Sequence, residues 1–376
     1  MSALSQYCNM EKSPLAADVL PEFSSFLADY LSVVKFALEH CRNEVSYRRR
    51  FNMPPEPYSA NYDEFNSESK LFERAITFIE PDLSRLQWLY ASLCDSLSKY
   101  LLLTVLTYRA IGWKYVSLPL DNSAFWDTLS NIGRKWLSGS IYMATSQNIE
   151  LRRLNIADYG YDVELYTDPF GVFNEFIYSQ YVYRGESSVI TPGEGDCVID
   201  CGACFGGTSL FFADRVGESG KVFSFEFVDQ NIEVFAKNLG LNPRLSDRIQ
   251  LVKNPVWSES GVEFYIRGTG PGASLSDNSS GGGVKVVTYS IDDLVKDQRL
   301  KKVGLIKMDV EGSEMSALRG AKDTILKYRP HLAISVYHRF SDFYEVPMYL
   351  KSLHSDYNIY MQHSTVHGDE TVVFAL

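Results

Sequence analysis

From Pro21 to His40, the residues Phe23, Phe26, Leu27, Tyr30, Leu31, Val34 and Leu38 recur at three- and four-residue steps, the stripe that an amphipathic helix buries. A second helical pattern runs from Leu71 to Thr107, broken at Pro81, with Leu86, Leu89, Tyr90, Leu93 and Leu97 on one face. Between them, Pro54 to Ser69 is rich in Pro, Ser, Asn and Tyr without periodicity and is predicted to be a loop. Residues 1–150 are therefore expected to be a mainly α-helical region. A connecting segment, residues 151–184, is dense in Tyr and Phe, and its alternation over Val163 to Tyr166 predicts a strand.

From Cys197 onward the pattern becomes regular. The apolar segments CVID, KVFSFEF, IQLVKN, LIKMDV, HLAISVY, YNIYMQ and TVVFAL are separated mainly by helical patterns. Such alternation predicts a mostly parallel sheet covered on both faces, an α/β domain over residues 185–376. The last two strands are joined by a short polar loop around His367-Gly368-Asp369, too short for a crossover helix, so they are expected to run antiparallel. An insertion from Trp257 to Tyr289 interrupts the alternation. Its centre, Gly268 to Gly283, reads as too flexible for a strand and is either a disordered excursion or a lid on the acceptor side.

The segment CVIDCGACFGGTS combines a buried strand ending at Asp200, a turn with Gly202, Gly206 and Gly207, and a helix start near Thr208. Glycines there let backbone approach a ligand closely. The next strand ends with Glu226, an acid placed to accept the hydroxyls of a ribose. A dinucleotide fingerprint wants G-x-G-x-x-G beside a pyrophosphate, whereas this turn reads G-x-x-x-G-G after an acid. Asp200 suits a ligand with ammonium and sulfonium charges, which favours S-adenosylmethionine over a nicotinamide dinucleotide. An oxidoreductase and a non-catalytic cofactor-binding partner of another enzyme are the rival readings.

Three stretches, VIDCGACFGGTS, FSFEF and above all LIKMDVEGSEMSALRGA, resemble the FkbM family of methyltransferases. The resemblance spans about Gly185 to Leu376 and implies a class I, Rossmann-like, mostly parallel seven-stranded sheet with an antiparallel last strand. It implies O-methylation of a sugar, glycan or glycan precursor. It also implies that Asp200, Gly202 and Ala203 line the methionine moiety with Gly206 in the same turn, that Glu226 holds the ribose, and that Asn254 lies near adenine. In the preceding aromatic segment, Phe176, Gln180 and Tyr181 are expected to cover the cofactor pocket. Cys204 stands at the middle of the turn, where the family often has Asn.

Ligands of open α/β sheets bind outside the carboxyl ends of the strands. Asp309 with Glu311, and His338 after HLAISVY, belong on that edge and are the candidate catalytic residues. His338 is the expected proton acceptor, while Asp309 orients the acceptor, serves as the base, or joins Glu311 on a divalent cation. A magnesium ion is weighed there and not adopted. Glu314, in a first helical turn, is explained by the helix dipole.

A net charge of -11 argues against a nucleic-acid partner, and the cationic run Arg48-Arg49-Arg50 reads as a solvated helix end. Cys197, Cys201 and Cys204 have no fourth ligand at zinc-finger spacing and read as small core residues. Trp88, Tyr100, Trp113 and Trp126 read as core or interface, which leaves the helical region a role in acceptor recognition or in a homo-oligomer. No apolar run reaches the roughly 20 residues of a membrane span, and no secretory signal is recognisable, so a cytoplasmic location is expected.

Overall fold

The computed structural model describes residues 24–40, 67–144, 149–185, 188–277 and 284–376. Pro21–Phe23, the arginine run and most of the Pro54–Ser69 stretch lie outside them. Helix α1 spans Phe26–His40 and buries Phe26, Tyr30, Val33, Val34, Ala37 and Leu38, whereas Leu27 of the expected stripe is 39% exposed and Leu31 half-buried. Helix α2 spans Glu68–Ile79, so it begins three residues before Leu71; Ser67 caps it by accepting from the Lys70 amide. Pro81 sits in a single 3₁₀ turn, Glu80–Asp82, that separates α2 from α3, Leu83–Ser92. The chain turns again before α4, Ser96–Ile111, which Asp95 caps. This second break takes Leu97 off the face it was expected to share: it is 41% exposed, whereas Leu86, Leu89, Tyr90 and Leu93 are buried. Helix α5, Ser123–Trp136, completes the helical region.

Strands β1 (Ile141–Ala144), β2 (Ile149–Asn155) and β3 (Glu164–Thr167) form an antiparallel sheet. Next comes a π-helical turn, Val172–Ile177, and a two-stranded ribbon of β4 (Tyr183–Arg184) with β5 (Val189–Ile190). Then the main sheet begins with β6 (Cys197–Cys201), helix α6 (Gly207–Arg215), β7 (Lys221–Phe225), helix α7 (Asp229–Leu241) and β8 (Ile249–Val252). A small antiparallel sheet follows, made of β9 (Glu263–Arg267), β10 (Ser274–Ser276) and β11 (Lys285–Val287). Ser274–Ser276 thus corrects the reading of Gly268–Gly283 as strand-free: pairing with Tyr265–Arg267 supplies hydrogen bonds that composition does not reveal.

The main sheet continues through helix α8 (Ile291–Asp297), β12 (Leu305–Met308), α9 (Glu314–Arg319), α10 (Lys322–Tyr328), β13 (His331–Ser335), α11 (Asp342–Leu353), β14 (Ile359–His363) and β15 (Thr371–Ala375). Its order is β14-β15-β13-β12-β6-β7-β8. Every pairing within it is parallel except those of β15, which runs antiparallel to both β13 and β14. Strand order reverses between β6 and β12, so the crevice for a ligand opens at their carboxyl ends.

Candidate cofactor and methyl-transfer site

The first strand of the site carries its acid inward. Asp200 on β6 and Lys307 on β12 are register partners on neighbouring parallel strands, so their side chains leave the sheet on the same face. Lys307 Nζ lies 3.1 Å from Asp200 Oδ1, with the two side chains 2% and 0% exposed. The ammonium also donates to the carbonyls of Cys201 and Gly202, and Asp200 Oδ2 accepts from Ser209 Oγ at 2.7 Å. Burial works against the Lys307 charge, but Asp200 and Asp309 outweigh it and raise its pKa. Asp200, expected beside the methionine moiety, is fully buried and not among the residues lining the cavity, and its charge is paired with Lys307.

After Cys201 the chain turns sharply. Gly202 has φ +80°, and a Cβ there would sit 1.8 Å from the Asp309 carbonyl oxygen. The amides of Gly202 and Ala203 both donate to Phe225 O, tying the turn to β7. Ala203 is buried below the turn, and Gly206, at φ +86°, lies against the Phe235 ring at the start of α6. Of these three, only Gly202 reaches the cavity wall.

Glu226 follows β7. Its Oε1 accepts from the amides of Phe227 and Val228 at 2.7 and 2.8 Å, and Oε2 accepts from Asn231 Nδ2. Burial raises its pKa, opposed by those donors. Asn231 also donates to the carbonyl of Gly270, so the glycine-rich insertion is drawn over the same cavity. Asn254 lies on the cavity wall and donates to Val287 O.

Opposite Glu226, the turn after β12 places Asp309, Val310, Glu311 and Gly312. Glu311 and Gly312 both have positive φ, +52° and +86°, and Cys204 and Glu370 on the same cavity also lie in the left-handed region. Such conformations cost a non-glycine residue about 1–3 kcal/mol and gather where side-chain placement matters. Asp309 Oδ2 accepts from Tyr181 OH at 2.6 Å, and Oδ1 from Tyr337 OH at 3.2 Å. Tyr337 is also 3.2 Å from Glu370 Oε1. The Glu370 carboxyl is raised well above its ordinary pKa by burial, then by Asp309 and Asp369.

His338 is boxed in by carboxylates. Nδ1 lies 2.8 Å from Glu314 Oε1, and Nε2 lies 3.6 Å from Asp309 Oδ1 and 3.5 Å from Glu311 Oε2. Burial lowers its pKa, but Glu311, Glu314 and Asp309 outweigh that and push it up to about 11. These carboxylates favour the protonated ring, which works against the expected role of His338 as a neutral base. Glu314 is corrected too. It is fully buried, and it accepts from the amides of Val310 and Gly312 as well as facing His338.

The resulting cavity, about 790 Å³ including its open mouth, is lined among others by Gly202, Cys204, Glu226, Asp309, Glu311, Tyr337 and Glu370. No lysine, arginine or histidine is in that lining among the described residues. Of the three aromatic-segment candidates only Tyr181 reaches this group, through Asp309. Gln180 instead accepts from Ser364, and Phe176 packs edge-on against Tyr161 and Phe211 in the core. Glu175, beside it, presses its carboxyl on Gly207, where a Cβ would fall 1.8 Å from Oε2. The pattern also passed over Lys307, Tyr337, Glu314 and Glu370. The K-x-D-x-E-G-x-E spacing was the one available signal for Lys307 and Glu314.

This sheet order, with ligand-facing groups at the carboxyl ends of β6, β7 and β12, defines a class I methyltransferase fold. Residues 200–358 match the model described as the Methyltransferase FkbM domain. The chain therefore carries an FkbM methyltransferase domain, preceded by a helical N-terminal region, and a nicotinamide-dependent oxidoreductase is set aside. Among solved structures, it is similar to methyltransferase FkbM from Methylobacillus flagellatus KT at 19% identity and a TM-score of 0.51, over 81% of this chain and 62% of that one. Fibrillarin from Aeropyrum pernix, solved with natively bound S-adenosyl-L-methionine, is similar at 10% identity and a TM-score of 0.33, over 63% of this chain and 100% of that one. No curated protein matches the sequence. No helix among the described residues is long and apolar enough to cross a membrane.

Proposed function

We propose that the chain is an S-adenosylmethionine-dependent methyltransferase acting on a hydroxyl oxygen of a neutral, polyhydroxylated acceptor such as a sugar or glycan precursor. The supporting observation is the cavity wall: Asp309, Glu311 and Glu370 can accept hydrogen bonds, Tyr337 can both donate and accept, and no basic side chain lines it among the described residues. Such a wall suits hydroxyl groups and repels phosphate or carboxylate groups.

The cradle fits the cofactor's parts. Glu226 would accept from the ribose hydroxyls, the bare backbone of Gly202 would leave room for the methionyl end, and Asn254 and Val256 would stand beside the adenine. S-adenosylmethionine supplies a methyl group already activated by its sulfonium. The protein's task is then to hold the acceptor oxygen in line and give its proton a destination. Asp309, fixed by Tyr181 and Tyr337, orients the acceptor. Asp309 also takes the proton, as the cavity-lining carboxylate; Glu370, whose Oε2 is buried and whose carboxyl burial drives toward the protonated form, does not present an oxygen for it.

Methyl-labelled cofactor offered with neutral sugars, uronic acids and phosphosugars tests the reading. Label should pass to the neutral sugars, and Asp309→Asn should lower turnover by about 10²- to 10⁴-fold with cofactor affinity retained. Methylation of the anionic acceptors alone would refute the acceptor class. Binding of S-adenosylhomocysteine without turnover by the purified chain would favour a non-catalytic partner instead.

A further inference from the structure

A second cavity, about 520 Å³ including its open mouth, has Glu370 in common with the first. Three separate parts of the chain build it. Helix α5 supplies Phe125, the aromatic segment supplies Phe170 and Asn174, and the loop between β14 and β15 supplies the wall that ends at Asp369 and Glu370. That loop is set by its own bonds: Thr365 Oγ1 donates to the Asp369 carbonyl at 2.9 Å, and Ser364 Oγ to Gln180 Oε1 at 3.0 Å. Arg109 on α4 holds it through the Gly368 carbonyl at 2.6 Å. The wall is thus formed before a ligand arrives, which spares the ligand the cost of ordering it.

Its chemistry is mixed. Phe125 is buried, whereas Phe170 is 37% exposed, so an aromatic residue of the lining stands open. Asn174 lies in the π-helical turn Val172–Ile177, a rare backbone form that often marks functional positions, and no donor among the described residues reaches its buried Oδ1. The lining holds one histidine, His367, and no lysine or arginine among the described residues. An aromatic face covers the C–H side of a sugar ring, and amide and hydroxyl groups both donate to and accept from its hydroxyls. An anionic ligand would instead face Asp369 with no ammonium or guanidinium in the lining to offset it.

We infer that the second cavity binds a neutral sugar unit of the acceptor adjacent to the unit that is methylated, so that the acceptor is an oligosaccharide or glycan chain rather than a free monosaccharide. Its part in methyl transfer rests on the proposed methyltransferase reading, whereas the saccharide site itself does not. The shared wall carries the inference. Tyr337 OH is 3.2 Å from both Asp309 Oδ1 and Glu370 Oε1, so the reacting end of the first cavity and the residue common to both are neighbours. A chain whose reacting hydroxyl meets Asp309 passes Glu370 and sets its next ring on Phe170, with the Asn174 amide turned to that ring's hydroxyls. Because Phe125 belongs to α5, the helical region then helps to select the acceptor.

The test is an array of neutral mono-, di- and longer saccharides probed with the full chain in two ways: transfer from methyl-labelled cofactor, and binding of the fluorescently tagged chain saturated with S-adenosylhomocysteine. Longer saccharides should exceed their matching monosaccharides in both. Phe170→Ala and Asn174→Leu should each raise KM for the best oligosaccharide at least about 10-fold, with kcat and S-adenosylhomocysteine affinity little changed. Phe170→Tyr keeps the ring and should behave as the wild type. Phe170 is partly exposed, so its replacement leaves the core intact, and circular dichroism checks each variant's fold. Neutral sugars methylated with KM unchanged in both variants, or monosaccharides used as well as longer chains, would overturn the second site and leave the methyltransferase reading standing. Phe170-dependent binding of oligosaccharides without transfer keeps the site and removes that reading. Neither binding nor transfer anywhere on the array, by a chain that binds S-adenosylhomocysteine, overturns the site together with the neutral-sugar acceptor class.

Discussion

Lys307 and Asp200 form a buried ion pair between β12 and β6. Removing one member of a buried pair leaves the other without compensation, which costs about 3–5 kcal/mol, whereas replacing both by neutral groups costs far less. Lys307→Met should therefore destabilise the chain by that order in urea unfolding, and Lys307→Met combined with Asp200→Asn should recover most of the loss. Glu175 behaves differently. Burial, followed by the negative charges of Asp168 and Asp200 and against the pull of Lys307, raises its pKa to about 8. Between its ordinary value of 4.5 and about 8 the unfolded chain has released a proton that the folded chain keeps, so stability falls as pH rises through that window. Glu175→Gln should remove this fall. Unfolding curves across pH 4.5 to 8 should show the wild type losing ground steadily to the variant, and parallel curves would mean that Glu175 titrates normally.

At the scale of elements, the strands and their turns were legible because their signals are local. Each of the seven apolar segments, the glycine turn after the first of them and the acid after the second is marked by residues that are close together in sequence. Glu226, Asp309 and Gly202, which line one cavity, were singled out this way. Glu314, Glu370, Lys307 and Tyr181 were not, or not in their roles, because each acts through a partner brought close only by folding; Tyr181 and Asp309 are 128 positions apart. The left-handed backbone at Cys204, Glu311 and Glu370 leaves no mark in composition either, since these are not glycines. The turns themselves can be probed. Gly202→Ala adds a Cβ 1.8 Å from a backbone oxygen at φ +80°, where neither side can retreat. It should destabilise the fold by more than about 2 kcal/mol and abolish binding of S-adenosylhomocysteine. Gly133→Ala, in the interior of α5 with nothing within 4 Å, should instead stabilise by about 0.5–1 kcal/mol. Equal effects of the two substitutions would show that the turn after β6 is not strained against β12.

Across the whole molecule, the helical region is fastened to the site. One buried cluster reaches from Phe26 on α1 to Ala375 on β15, so the two parts share a core. Leu93 and Ile359 form a parallel bridge, Cys94 N donates to Ile359 O, and Ser98 exchanges hydrogen bonds with Met361. These contacts cover β14, an edge strand whose unpaired backbone would otherwise invite association. From α4, the buried Arg109 reaches further. It donates to the carbonyls of Gly368 and Tyr337 at 2.6 and 3.1 Å, and its guanidinium lies over the Phe343 ring. Tyr337 precedes His338 and touches both Asp309 and Glu370, and Gly368 lies two residues before Glu370. One arginine from the helical region thus braces both segments that form the acceptor wall, while Glu226 and the glycine turn are held by other contacts. Arg109→Met keeps much of the apolar stem but leaves two buried carbonyls with fewer donors, at about 1–3 kcal/mol each. It should lower stability by a few kcal/mol and, in a chain still folded at low temperature, reduce turnover while affinity for S-adenosylhomocysteine changes little. Measuring both on the same preparation separates bracing of the acceptor wall from loss of fold. If cofactor affinity fell in step with turnover, Arg109 would be supporting the domain as a whole rather than its acceptor side.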